Sequence, residues 1–208
     1  IGSADSATKV NAGDQHTFEA DTTVFALWKD APTEYSISDI EAINAFIAAN
    51  NLTMMTPQPS PDGSEVPDDW NGKVLWDEDV SPKRVDFLTI SDLGLSGTLK
   101  LSGLEKLICL ECYSNELTGL DFSDLPVLRD LGCAKNDHTG KLDLTNLTNL
   151  RSLEAEDNNL SFIDVSGLAN LTELYCDDNE LTGIDASYTG LETLFCENNL
   201  LTELDLSG

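Results

Sequence analysis

The 208-residue sequence encodes an α/β solenoid, with six turns of about 20–22 residues, a parallel β-sheet on the concave face and a helical N-terminal cap. Three observations lead there. Asn115, Asn136, Asn158, Asn179 and Asn199 stand 21, 22, 21 and 20 residues apart. Around each of them one frame of Leu and Cys recurs in register. Ahead of the first turn lies a stretch with helical spacing and a capping pattern.

The frame is explicit in every turn. Leu107-x-x-Leu110-x-Cys112-x-x-Asn115-x-Leu117 is followed by Leu128-x-x-Leu131-x-Cys133-x-x-Asn136. Leu150-x-x-Leu153-x-Ala155-x-x-Asn158-x-Leu160 and Leu171-x-x-Leu174-x-Cys176-x-x-Asn179-x-Leu181 come next, then Leu191-x-x-Leu194-x-Cys196-x-x-Asn199-x-Leu201. Val85-x-x-Leu88-x-Ile90-x-x-Leu93-x-Leu95 is a looser first copy, with Leu at the Asn position. In a strand, alternate side chains share a face, so Leu and Cys point inward and their neighbours outward. One such strand cannot bury its apolar face alone; parallel neighbours share a continuous core.

These residues resemble the leucine-rich repeat family. The resemblance implies that each Asn side chain satisfies backbone groups of neighbouring turns. It also implies that the second half of each turn, as in Leu120-Asp121-x-Ser123-x-Leu125, returns over the convex side.

Asp121, Asp143, Asp164, Asp185 and Asp205 hold one fixed place in the turn. A row of carboxylates suggests calcium, but the Gly-rich calcium loop of other solenoids is missing, so local turn capping is the expectation. Cys112, Cys133, Cys176 and Cys196 stand where Ile90 and Ala155 stand in other turns, as compact apolar filler in the reduced state. Adjacent parallel strands lie at a separation that a disulfide tolerates, so pairing is the competing account. Cys109 has outward parity and no basic neighbour to activate it.

Residues 31–84 form the expected cap, with a helix near 38–50. Ser38-Asp39-Ile40-Glu41 fits a capping box, and Ile40, Ile43, Phe46 and Ile47 form a stripe at helical spacing. A loop rich in Pro, Ser, Gly and acids follows from Pro57 to Asp69. The order helix, Trp70-Asn71-Gly72-Lys73-Val74, Arg84-Val85, first Leu strand resembles the N-terminal cap of plant-type extracellular leucine-rich-repeat proteins, without that cap's paired cysteines. Trp70 and Trp76 are expected to cover the apolar end of the solenoid rather than to stack sugars. Residues 85–208 are the repeats. Within residues 1–30, Thr17-Phe18-x-Ala20-Asp21-Thr22-Thr23-Val24-x-Ala26-x-Trp28 is rich in β-formers and resembles the closing strands of the Listeria–Bacteroides repeat, a β module of bacterial surface proteins.

Charge removes several functions. Eleven Lys and Arg face 38 Asp and Glu, a formal charge of −27, and such a surface repels nucleic-acid phosphates and anionic headgroups. No apolar run is long enough to span a bilayer, so direct membrane insertion is not expected. The first residue, Ile1, points to a trimmed N-terminus, and the sequence stops inside a turn at Leu206-Ser207-Gly208. Two histidines and no motif for a metal or cofactor leave little for catalysis. Paired carboxylates such as Glu154 with Glu156, or Glu173 with Asp177, share a face, but an open sheet offers little desolvation to split their pKa values.

The strand frame places eighteen residues on the concave face. Seven are acidic, namely Glu111, Asp130, Glu154, Glu156, Glu173, Asp177 and Glu197, and none is basic. Phe87, Tyr113, Tyr175 and Phe195 are aromatic. An acidic face follows from so acidic a composition; aromatics among the acids are what suit a protein-binding surface. The expectation is a non-enzymatic module that binds a cationic protein through this face. Its layout is similar to that of internalin-like proteins, which implies a bacterial protein, extracellular or at the cell surface. The alternative is a glycan or cell-wall polymer stacked on the same aromatics.

Overall fold

The chain's computed structural model describes residues 33–59, 62–142, 144 and 146–207. The β segment expected within residues 1–30 lies outside these residues, as does Asp143.

Helix α1 spans Ile37–Ala49 and buries Ile40, Ile43, Phe46 and Ile47, the stripe that its sequence spacing places on one side. Its N-cap is Ser36, not Ser38: the Ser36 hydroxyl accepts the Asp39 N–H at 3.3 Å. The correction has a physical cause. Asp39, which lies inside the expected Ser38–Glu41 box, is fully buried and in the first turn of the helix. Its carboxylate accepts both the Arg84 side chain (Nε at 2.9 and 3.0 Å) and the Val85 N–H at 2.8 Å. One buried carboxylate thus ties the helix to the start of the repeats. Trp70, at the end of a short 3-10 turn, is buried with its indole N–H donating to the Thr56 carbonyl at 2.9 Å. Trp76 is only half-buried, edge-on to Tyr35.

Strand β1 (Val74–Trp76) pairs antiparallel with β2 (Val85–Thr89). From β2 onward one strand per turn adds in parallel: β4 (Cys109–Glu111), β6 (Asp130–Gly132), β8 (Ser152–Glu154), β10 (Glu173–Tyr175) and β12 (Thr193–Phe195). The second halves of the turns carry β3 (Ser96–Lys100) paired with β5 (Glu116–Asp121). They also carry a parallel sheet of β7 (Thr139–Leu142), β9 (Asn159–Asp164), β11 (Gly183–Asp185) and β13 (Glu203–Asp205). The core lies between, in layers of Leu: Leu88, Leu110, Leu131, Leu153 and Leu174 are at most 2% exposed.

Three residues beyond each of the six strands from β2 on stands a residue with left-handed backbone: Asp92, Ser114, Lys135, Asp157, Asp178 and Asn198, at φ between 52° and 57°. Short polar side chains tolerate that region, which explains the Asp and Asn at most of these places. The reversal aims the next residue, the ladder Asn, into the core. Asn158 shows the pattern. Its amide donates to the carbonyls of Cys133 (3.1 Å), Ala155 (3.2 Å) and Glu156 (3.1 Å), and its oxygen accepts the His138 N–H at 3.1 Å. Asn115, Asn136, Asn179 and Asn199 repeat it. The Asp row is turn capping: Asp121, Asp164, Asp185 and Asp205 each accept the N–H two residues on, at 2.9–3.2 Å.

All five cysteines are free. Cys112, Cys133 and Cys176 are fully buried, and burial pushes the thiols of Cys112 and Cys176 up to about 12. Cys196 differs from the expectation. It is half-exposed, in the last described turn.

Candidate functional site

Because the strands are in register, the outward side chains form rows across the sheet. One row runs Phe87, Cys109, Asp130, Ser152, Glu173, Thr193. The next runs Thr89, Glu111, Gly132, Glu154, Tyr175, Phe195. Beyond the strand ends, backbone bonds of the flanking left-handed residues continue a third row through Tyr113, Ala134, Glu156, Asp177 and Glu197. The eleven residues singled out from the sequence therefore share one face.

They are not equally available. Gly132 and Ala134 have outward parity but are buried, and Tyr113 folds over Gly132: a Cβ added there would run into the Tyr113 ring. Tyr113 is a lid on a small-residue gap before it is a contact. Burial first, and then the Glu111 carboxylate to which it hydrogen-bonds, push its phenol above the usual range. At the far end Tyr175 and Phe195 stack at 5.4 Å and 11°, and Phe195 stands 48% exposed.

Between the aromatics lie the acids, with Glu154 at their centre. Burial raises its pKa, and the charges of Glu156, Glu111, Glu173 and Asp130 raise it further. Burial likewise raises Asp130, against the pull of Arg151 and Arg129 at the rim. One Glu156 oxygen, Oε2, is shielded from solvent without a hydrogen-bond partner. Ser152 donates to Glu173 at 3.3 Å and the Glu197 N–H to Asp177 at 2.7 Å. The ion pairs of the described residues, such as Lys83–Glu34, Lys83–Glu78, Arg84–Asp39, Lys100–Asp121 and Lys141–Asp164, involve none of these face carboxylates. The face thus holds an excess of negative charge, which Arg151 and Arg129 offset only in part, at Asp130.

Cys109 sits in this field. Burial, then Asp130, Glu111 and Glu154, push its thiol up to about 12, which leaves it protonated and a poor nucleophile. Among the described residues no three His, Cys, Asp or Glu side chains are grouped to hold a metal, and no helix is long and apolar enough to cross a membrane.

Sequence reasoning missed Leu75. Strand β1 joins the sheet antiparallel with Leu75 opposite Phe87, so Leu75 shares its face and is 48% exposed. The alternation Val74-Leu75-Trp76 carried that signal, since Val74 pairs with the core residue Leu88. What no periodicity shows is that this short strand adds to the repeat sheet at all.

The architecture has solved relatives. The chain carries the leucine-rich repeat fold. The LRR ectodomain of the receptor kinase SOBIR1 from Arabidopsis thaliana superposes with a TM-score of 0.60 at 20% identity, over 82% of this chain and 96% of that one. The BIR2 ectodomain from the same organism gives 0.55 at 22% identity, over 76% and 94%. The ectodomain of GASSHO1/SCHENGEN3, also from Arabidopsis thaliana and solved in complex with CASPARIAN STRIP INTEGRITY FACTOR 2, gives 0.55 at 25% identity. The match spans 79% of this chain and 21% of that longer one. No protein-family profile and no curated protein sequence matches the chain.

Proposed function

We propose that this chain is a non-enzymatic protein-binding module of a bacterial surface or secreted protein, internalin-like in layout, and that it binds through the acidic, aromatic-bearing concave face. The observation that supports this most directly is the crowding of carboxylates around Glu154, set beside the stacked Tyr175–Phe195 pair with Phe195 exposed. Folding gains nothing from crowding carboxylates; a cationic partner removes the repulsion and is steered in by it. An ectodomain of the same fold solved with a bound partner is in keeping with such a role. Hydrolysis fits poorly, because the carboxylate pairs stand on an open sheet rather than in a cleft that fixes a substrate.

The test is a pull-down from bacterial-surface and host extracellular proteins at low and high salt, beside a variant with Glu154, Glu156, Glu173 and Asp177 changed to Lys. A protein held by the wild type, released by salt and lost in the variant is the expected result. Capture indifferent to the variant moves the site off this face. The stacked Tyr175–Phe195 pair favours one second role, a platform for a glycan or cell-wall polymer. Binding that ignores salt and yields to soluble sugar would identify it.

A further inference from the structure

The face is not uniform along the solenoid. At the cap end Leu75, Phe87 and the protonated Cys109 make an apolar corner, with Leu75 48% exposed. At the other end stands the Tyr175–Phe195 stack, with Phe195 equally exposed. The middle is carboxylate, with Glu156, Glu111, Glu173 and Asp130 crowding Glu154. Phe87 and Phe195 lie in the first and last of six consecutive parallel strands. Five steps of about 4.8 Å separate them by about 24 Å.

We infer that the occupant of this face is a basic protein segment flanked on both sides by apolar residues. Its apolar groups seat on the Leu75–Phe87 corner and on the Tyr175–Phe195 stack, with Lys or Arg over the carboxylates between. The inference rests on the protein-binding role proposed above and adds an order to it. Charge alone would accept any polycation. The apolar ends make the order matter, because a shifted segment lays ammonium groups on Leu75 and Phe195 and leaves the carboxylates desolvated without partners. A neutral glycan leaves those carboxylates without cationic donors. Lys and Arg supply charge and donors together. The apolar anchors also answer a weakness of exposed ion pairs, which contribute little unless water is excluded around them.

A synthetic peptide with Leu-Phe at each end and a Lys-rich centre of about seven residues spans the distance when extended. Its binding to residues 1–208 is measured by fluorescence anisotropy, beside a peptide of the same composition with Leu and Phe moved to the centre. Leu75→Ser and Phe195→Ser serve as separate variants. Both side chains are half-exposed, and circular dichroism checks that each variant folds. The expected result is binding that weakens about tenfold for the reordered peptide and for each variant. Equal binding of the two peptides, no effect of either variant, or no binding of the ordered peptide overturns the inference. If the four-Lys variant still abolishes binding while order and anchors have no effect, the acidic face stands and the two-ended layout fails. Indifference to all of these removes both.

Discussion

At the scale of single residues, His138 and Asn158 meet across adjacent turns and pull in opposite directions. His138 occupies the place held by Leu117, Leu160 and Leu181 in other turns. It is 1% exposed, and neither ring nitrogen has a partner of hydrogen-bonding geometry. Burial lowers its pKa, only partly offset by the nearby Thr118 carbonyl and the charge of Asp137, so the folded chain holds it neutral. With the folded pKa below the unfolded value of about 6.5, the unfolded chain binds the extra proton first. Stability is therefore intact above about pH 6.5 and is lost as pH falls below it. His138→Leu should raise stability by about 1–2 kcal/mol at neutral pH and reduce this acid sensitivity, as read by urea unfolding from pH 7.5 to 5. Asn158 is the opposite case: its amide satisfies three carbonyls and one N–H. Asn158→Ala leaves them buried without partners and should cost at least 2–3 kcal/mol, about 1 per lost bond or more. Asn199→Ala, in the half-exposed last turn, should cost less, because water replaces the lost bonds.

At the scale of elements, the cap and the first strand are joined through one carboxylate. Asp39 sits on helix α1, while Arg84 and Val85 open β2. Removing the carboxylate should cost about 2–3 kcal/mol, because the buried Val85 N–H loses its acceptor while Arg84, 26% exposed, turns to water. Asp39→Ala should show this in urea unfolding, and the loss should begin at the cap, seen as early exposure of Trp70. Turns in such a stack contact only their neighbours, so β8 to β12 should keep their hydrogen-exchange protection longer than the cap does.

For the molecule as a whole, the charge of −27 sets two dependences of opposite sign. Salt screens self-repulsion, so thermal stability should rise between about 0.01 and 1 M ionic strength, as the Debye length falls from about 30 to 3 Å. Binding of a cationic partner should weaken over the same range. Acid acts on binding through Glu154 and Asp130, whose carboxyls ionise later than usual. A cationic partner favours their ionised forms, so affinity should begin to fall as pH descends toward the carboxylate range, sooner than unshifted acids would give. Titration of binding from pH 7.5 to 4.5 in wild type and Glu154→Gln measures it. A curve unchanged in the variant removes Glu154 from the interaction.

Much of this was legible in the chain. Leu110, Cys112 and Asn115, repeated at one period, dictate a stack of parallel strands, because that is the arrangement in which such a frame buries its apolar side and satisfies its amides. The same period assigned the outward face and its acids without any coordinates. Local pattern failed where distant segments meet. Ser38 and Glu41 look like a capping box, yet Ser36 caps the helix and Asp39 between them serves Arg84 and Val85, which lie 45 and 46 residues away. Gly132 looks like an exposed position, yet the Tyr113 ring of the turn before it lies on top. Leu75 belongs to no repeat, yet antiparallel pairing with β2 brings it beside Phe87. Periodicity reports which way a side chain points within its own strand. What lies over it, beside it or opposite it depends on contacts between turns, and packing alone decides those.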